Sequence, residues 1–121
     1  MRYFFLILLI AVFLSCNNNP ATNTNAKPTT AVNNSNGEVL FKTNCFICHK
    51  TNADNLGPSL KGAKSRWSDK DLLHEFVRDP ESVIAKDGYA LGLKQHYGGQ
   101  MTPFPNLSNN DIDAILDYCN Q

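Results

Sequence analysis

Cys45-Phe46-Ile47-Cys48-His49 is the segment of this sequence that bears most directly on its fold and its chemistry. Two thiols separated by two residues lie about one turn apart on a helix. The imidazole follows the second thiol directly. Shuffling a chain of this composition gives the pattern in only roughly 0.3% of sequences, so the spacing is informative.

Cys-x-x-Cys-His is the attachment signature of c-type haem, in which each thiol adds to one vinyl group of the porphyrin and the histidine ligates the iron. It predicts one covalent haem c, bound through Cys45 and Cys48, with His49 as a ligand of the metal. Two alternatives remain open. A thioredoxin-like dithiol would need a βαβ context, which is not visible, and a zinc site would need Cys119 as a fourth ligand.

The second iron ligand is expected to be Met101, the only methionine besides the initiator. Pro103 and Pro105 follow it closely, and prolines fix φ and remove amide donors, which predicts a stiff non-helical loop. A rigid loop can hold a weak thioether ligand in place. His/Met ligation fills both axial sites and raises the potential, which suits electron transfer.

Histidine or water on the iron is the alternative, with Met101 as a core residue. The other two histidines fit the role less well. His74 is expected to face solvent on a helix, and His96 is expected to lie at the surface before a glycine turn.

Apolar residues recur at helical spacing around the motif, and no segment alternates with period two, so an all-α domain is predicted. Ser68 and Ser108 each precede an acidic residue by three positions, as in a capping box. Helices are predicted around residues 39–45, from 68 to before Pro80, from Pro80 through Ile84 toward Ala90, and from 108 to 119, with residues 50–66 as loop.

The region from Gly37 to Tyr118 resembles a small class I cytochrome c. The resemblance implies the fold of that family, with about four short helices wrapped around one covalent haem. It also implies that Gly37 and Phe41 lie where the first helix crosses the last, with Phe41 meeting Tyr118.

The same resemblance implies roles for residues outside the haem motif. The carbonyl of Pro58 would accept the Nδ1–H of His49 and so orient the ring and tune the iron. Met101 lies in a segment that resembles the methionine loop of the family, although Thr102 stands where many members have proline. Trp67 is a candidate hydrogen-bond donor to a haem propionate, and a core aromatic is the alternative.

Cys119 stands where leucine or isoleucine is common near the end of the last helix. It is expected to be a small buried hydrophobe. The alternative is an exposed thiol that links two molecules.

The N-terminus predicts export and lipid attachment. Arg2 precedes an apolar run at 3–14, too short for a membrane span and typical of a signal peptide at 1–15. Phe13-Leu14-Ser15-Cys16 resembles a bacterial lipobox, although leucine is usual where Phe13 stands. Cys16 is therefore the expected lipidation site, and an ordinary signal cut near Ser15 is the alternative.

Residues 16–36 are predicted to be a disordered tether, because they are rich in Asn and Thr and contain almost no large apolar side chain. A domain at 37–121 follows, in the cell envelope and facing the periplasm. All 11 acidic residues lie in it, whereas Arg2 and Lys27 lie outside. The full chain has no net charge, which argues against a nucleic-acid binder.

The predicted function is that of a membrane-tethered one-electron carrier, not an enzyme, which works as a monomer between respiratory complexes or an exported oxidase or reductase. A haem-based gas or redox sensor, and a haem subunit of a larger complex, are the alternatives. The segment from Lys42 to Lys70 has six basic and two acidic residues. It is expected to attract an acidic redox partner protein, and solvated charge without a partner is the alternative.

Overall fold

The computed structural model describes residues 30–121, and these form helices and loops without a β-strand among them. The predicted all-α class is therefore confirmed. Six helices are present where about four were expected. They are α1 (Thr30–Asn44), α2 (Ala63–Arg66), α3 (Lys70–Arg78), α4 (Pro80–Ile84), α5 (Gly88–Tyr97) and α6 (Asn109–Cys119).

The first and last of these helices form the main helix pair of the fold. Gly37 allows their close approach, since a Cβ built on it would lie 2.1 Å from the carbonyl oxygen of Ala114. One turn further on, the rings of Phe41 and Tyr118 pack with their centroids 5.7 Å apart. Both contacts expected at this crossing are thus confirmed.

The core consists of two apolar clusters that share α6. Its faces supply Ile115 and Cys119 to one cluster and Ile112 and Leu116 to the other. This i, i+3, i+4, i+7 spacing is the stripe that the sequence predicts. The first cluster is completed from the α1 side by Phe41 and Cys45, and the second by Ala63 and Leu73.

Side-chain caps set the start of the helices. Ser108 and Asp111 form the predicted capping box of α6, each side chain bonding to the backbone of the other. At α3 the cap is Asp69 and not Ser68, because the Asp69 carboxylate accepts from the amides of Asp71 and Leu72. An aspartate one residue later thus competes successfully with the serine.

The segment after Pro80 differs from the prediction of one helix toward Ala90. α4 ends at Ile84, and Asp87 caps a separate helix, α5, by accepting from the amide of Ala90. The predicted loop at 50–66 likewise ends in the four-residue helix α2. Short capped helices of this kind leave little hydrophobic periodicity from which to predict them.

The expectation that His74 faces solvent is wrong. This side chain is buried between α3 and α6, where its Nε2 lies 3.3 Å from Oδ1 of Asp113. Its Nδ1 is also buried and has no hydrogen-bond partner in the described part of the chain. α3 therefore buries two faces, with Leu73 and His74 toward the core and Phe76 against Trp67.

The N-terminal predictions fall largely outside the described residues. These are the signal peptide at 1–15, the lipidation of Cys16 and most of the tether. α1 begins at Thr30, so residues 30–36 of the predicted tether belong to a helix. Within residues 30–121, no helix is long and apolar enough to cross a membrane.

Candidate functional site

The Cys-x-x-Cys-His motif lies in the turn that follows α1. The helical hydrogen-bond pattern continues into it, because the amide of Cys45 donates to the carbonyl of Phe41 and that of His49 to Cys45, each over 2.8 Å. This turn brings Cys45, Cys48 and His49 together at the C-terminal end of α1. α1 itself stops at Asn44, so the motif is in a helical turn beyond the helix.

The two thiols of the motif differ in exposure. Cys45 is buried against α6, and burial with the neighbouring Cys48 thiol raises its pKa to about 11. Cys48 is exposed, and both are free cysteines. Both thiols are therefore unpaired, one at the surface and one against the core.

His49 is held in one orientation by the loop that follows the motif. Its ring is buried, and Nδ1 lies 2.7 Å from the carbonyl oxygen of Pro58. This contact is the one that the family resemblance implies. With Nδ1–H donated to Pro58, Nε2 is the nitrogen with a lone pair free for a metal.

Gly57 makes room for that imidazole. A Cβ built on Gly57 would lie 2.5 Å from Cε1 of His49, which is closer than real contacts allow. The amide of Gly57 also donates to the carbonyl of Cys48 over 3.0 Å. The loop thus lies directly against the motif, and only glycine fits there.

Two side chains that the sequence pattern did not indicate, Asp54 and Arg66, hold the loop at Ser59. The amide of Ser59 donates to Oδ1 of Asp54 over 2.8 Å, and its carbonyl accepts from Arg66. Its hydroxyl donates to the carbonyl of Thr51. The peptide unit between Pro58 and Ser59 is therefore fixed from the side opposite His49.

Met101 lies half-buried in the loop between α5 and α6. On its C-terminal side the amide of Phe104 donates to the carbonyl of Val77 over 3.0 Å, which attaches the loop to α3. On its N-terminal side the hydroxyl of Tyr97 donates to Oδ2 of Asp54 over 2.7 Å. These two hydrogen bonds bracket the methionine.

Trp67 follows α2 and packs among aromatic side chains. Its ring centroid lies 5.0 Å from that of Phe76 and 5.1 Å from that of Tyr89. It is half-buried. Within the described part of the chain its indole N–H makes no hydrogen bond, so this donor is free for a ligand.

Cys119 is buried beside Cys45, as expected of a core residue, with only 1% of its surface exposed. Burial raises the pKa of its thiol to about 12. An exposed, intermolecular thiol does not fit this position. In residues 30–121, no group of three or more His, Cys, Asp or Glu side chains is arranged to hold a metal.

Half of the basic residues around the motif are neutralised within the chain. Lys42 pairs with Glu38, and Lys64 and Lys70 both pair with Asp113. Of the remaining three, Lys61 donates to the main-chain oxygen of Gln121 over 3.0 Å, and two have no carboxylate at ion-pair distance among the described residues. These two are Lys50, whose ammonium lies over the Phe46 ring, and Arg66, which donates to the carbonyl of Lys61.

These residues fit a covalently attached haem. One turn supplies two free thiols and an oriented imidazole. The backbone at Gly57 leaves room for that imidazole, since a Cβ there would collide with it. Ile47 and Leu56 are exposed apolar side chains beside them, with 79% and 67% of their surfaces accessible. His96 is exposed before the turn at Gly98, as predicted.

Comparison with known proteins gives a family match over the whole domain. A family model described as cytochrome c matches residues 35–121. The matched region starts in α1 and includes both the Cys-x-x-Cys-His motif and Met101.

Two relatives and a solved structure agree with this match. The chain is 32% identical over 85 residues to a cytochrome c-553-like protein of Synechocystis, where the match covers 68% of this chain and 62% of the relative. It is 30% identical over 83 residues to cytochrome c-552 of Nitrosomonas europaea, covering 67% and 72%. Cytochrome c from Rhodothermus marinus superposes with a TM-score of 0.64 at 28% identity, covering 83% and 85%.

Proposed function

Since this chain belongs to the cytochrome c family, and is therefore a haem-based electron carrier with covalently attached haem c, we propose that His49 and Met101 ligate its iron and that it works tethered to a membrane. Cys45 and Cys48 form the two thioether bonds in this proposal. The observation that carries it is the 2.7 Å contact between Nδ1 of His49 and Pro58. It leaves Nε2 oriented as a ligand beside the two thiols.

The bound haem supplies a reversible one-electron couple. The residues of the chain would hold the iron ligands in fixed positions. His49 is fixed at its ring by Pro58 and Gly57, so the proximal ligand has one orientation. With His49 and Met101 both bound, the iron would have no open position for a substrate, which suits a carrier and not an enzyme.

Met101 is the proposed second ligand because its loop is held at both ends. The Tyr97 hydrogen bond lies four residues before it, and the Phe104 hydrogen bond lies three residues after it. Pro103 adds rigidity between Met101 and Phe104. We also propose that Trp67 binds a haem propionate by donating its indole N–H, which makes no hydrogen bond within the described residues.

The proposed membrane attachment rests on the lipobox-like sequence at Phe13–Cys16 and on the polar segment that follows. A lipid on Cys16 would hold the domain near the membrane of a bacterial envelope, on the periplasmic side. Tethering raises the local concentration of membrane partners, so a weak and short-lived contact is sufficient for turnover.

The proposed partners are respiratory complexes or an exported oxidase or reductase with an acidic docking surface. Lys50 and Arg66 supply the positive charge for this contact, since no carboxylate lies at ion-pair distance from them within the described residues. Ile47 and Leu56 add apolar surface beside the motif. Docking there would bring a partner close to the Cys-x-x-Cys-His motif that would hold the haem.

An absorption spectrum of the haem-loaded full chain tests this proposal. We expect a c-type reduced spectrum, a sulfur-to-iron charge-transfer band in the oxidised form and no change on adding CO to the reduced form. Met101→Ala should abolish the band and permit CO binding. Ready CO binding by the wild-type chain would instead favour a sensor, and the absence of covalent haem would contradict the proposal.

A further inference from the structure

The carboxylate of Asp54 touches the supports of both proposed iron ligands. Oδ1 accepts the amide N–H of Ser59 over 2.8 Å, and Oδ2 accepts the hydroxyl of Tyr97 over 2.7 Å. Ser59 belongs to the loop that holds His49, and Tyr97 ends the helix that leads to Met101. We call these three residues, Asp54, Ser59 and Tyr97, the Asp54 junction.

On the His49 side, the junction acts through a single peptide unit. The amide between Pro58 and Ser59 donates its N–H to Asp54 and accepts, at its C=O, the Nδ1–H of His49. A carboxylate on the N–H polarises the amide and strengthens the C=O as an acceptor. Asp54 therefore strengthens the hydrogen bond that orients the imidazole.

On the Met101 side, the junction fixes the start of a loop with few other attachments. α5 packs chiefly against α4. Within the described part of the chain, residues 99–103 make no hydrogen bond. A Cβ on Gly98 or Gly99 would meet nothing within 4 Å, so the backbone at these two glycines is not packed. The position of Met101 thus depends on its two flanking attachments, at Tyr97 and at Phe104.

We propose that Asp54 is a positioning residue for both axial ligands, acting through Ser59 on His49 and through Tyr97 on Met101. The proposal rests on the His49/Met101 ligation proposed above. Tyr97 acts on the Met101 side alone, whereas Asp54 acts on both sides. The two residues are 43 positions apart in sequence, and only the fold joins them.

Removal of the Tyr97 hydroxyl tests the Met101 side. With Tyr97→Phe, imidazole added to the oxidised, haem-loaded protein should bind about threefold to tenfold more tightly, because the competing thioether is held less firmly. Tyr118→Phe is the matched control, since that hydroxyl makes no hydrogen bond in the described residues and its ring packs on Phe41. It should leave imidazole binding unchanged.

An Asp54→Ala variant tests the coupling of the two sides. It should increase imidazole affinity as Tyr97→Phe does, and adding Tyr97→Phe to it should have no further effect. In the reduced, diamagnetic protein it should also shift the NMR signal of the His49 Nδ1–H upfield and speed its exchange with solvent. Tyr97→Phe alone should leave that signal in place.

Each outcome decides between the two proposals. If the wild-type protein lacks the sulfur-to-iron band, Met101 is not the ligand and the role of Asp54 is wrong with it. If the band is present and Tyr97→Phe binds imidazole like the wild type, only the junction is wrong. An equal effect of Tyr97→Phe with and without Asp54 would also overturn it, as would an unchanged His49 signal in Asp54→Ala.

Discussion

The backbone of Gly57 lies against the imidazole of His49, so closely that a Cβ on Gly57 would come within 2.5 Å of Cε1. The ring is held there by the hydrogen bond from its Nδ1 to the carbonyl oxygen of Pro58. It therefore cannot move away without losing its hydrogen bond. The space available to the His49 ring is therefore set by the absence of a side chain at Gly57.

Gly57→Ala should displace the His49 ring and break its hydrogen bond to Pro58. We expect a loss of about 1–3 kcal/mol in the free energy of unfolding, the usual range for overpacking, and a changed absorption spectrum. Chemical denaturation and the oxidised spectrum measure these effects. Gly88→Ala is the control, because a Cβ there meets nothing within 4 Å; equal behaviour of the two variants would contradict the steric role of Gly57.

Gly37→Ala should weaken the pairing of α1 and α6. The added methyl would approach the carbonyl of Ala114 to 2.1 Å, so the helices must separate, at a cost of about 1–3 kcal/mol in unfolding free energy. Gly92→Ala, in the interior of α5 with open space around it, should instead stabilise by about 0.5–1 kcal/mol. Urea unfolding of both variants makes the comparison, and no loss in Gly37→Ala would refute the close crossing.

Imidazole binding should depend on pH through the Asp54–Tyr97 pair. The Ser59 amide, then the Tyr97 hydroxyl, lower the pKa of Asp54 from 3.8, with smaller effects of His96 and Arg66. The hydrogen bond to Asp54 raises the pKa of Tyr97 above 10.0.

The signs of these two shifts define a window. The contribution of the ionised Asp54 carboxylate to holding Met101 is complete above pH 3.8 and is lost as the pH falls through the lowered pKa. The contribution of the protonated Tyr97 hydroxyl to holding Met101 is complete below pH 10 and is lost as the pH rises through the raised pKa. The affinity for the neutral form of imidazole, corrected for the protonation of imidazole itself, should therefore be lowest between these limits, and Tyr97→Phe should remove the change at high pH. A high-pH change that persists in that variant would assign it to another group.

Electron transfer to an acidic partner should slow as salt is added. Screening shortens the range of surface charges from about 30 Å at 0.01 M to about 8 Å at 0.15 M ionic strength. Lys50→Gln should reduce both the rate at low salt and its salt dependence. Lys86→Gln is the control, because Lys86 pairs with Glu75 in the acidic part of the sequence. Stopped-flow rates that do not vary with ionic strength would contradict electrostatic steering.

Local sequence signals predicted the parts of this structure that depend on local chemistry. The Ser108–Asp111 capping box and the stripe of α6 follow from spacing alone. The contacts of Gly37 and Phe41 were implied by the family resemblance and are confirmed. The His49–Pro58 contact belongs to the same group.

Long-range contacts account for most of what was missed. The burial of His74 depends on Asp113, which lies 39 positions away on another helix. The Asp54 junction likewise joins a loop to the end of a later helix. The spacing of polar residues along a chain contains no signal for either contact, since both are set by tertiary packing. The start of α3 shows where local prediction is ambiguous, because Ser68 and Asp69 are adjacent and both are good helix caps.

The covering of Cys45 by α6 also has a consequence for the order in which the protein is assembled. The residues that bury this thiol, Ile115 and Cys119, are synthesised some 70 positions after it. Before α6 docks, the thiol of Cys45 is accessible to a modifying enzyme, and after α1 and α6 have paired it is covered. We therefore expect covalent maturation at Cys45 to precede the docking of the last helix.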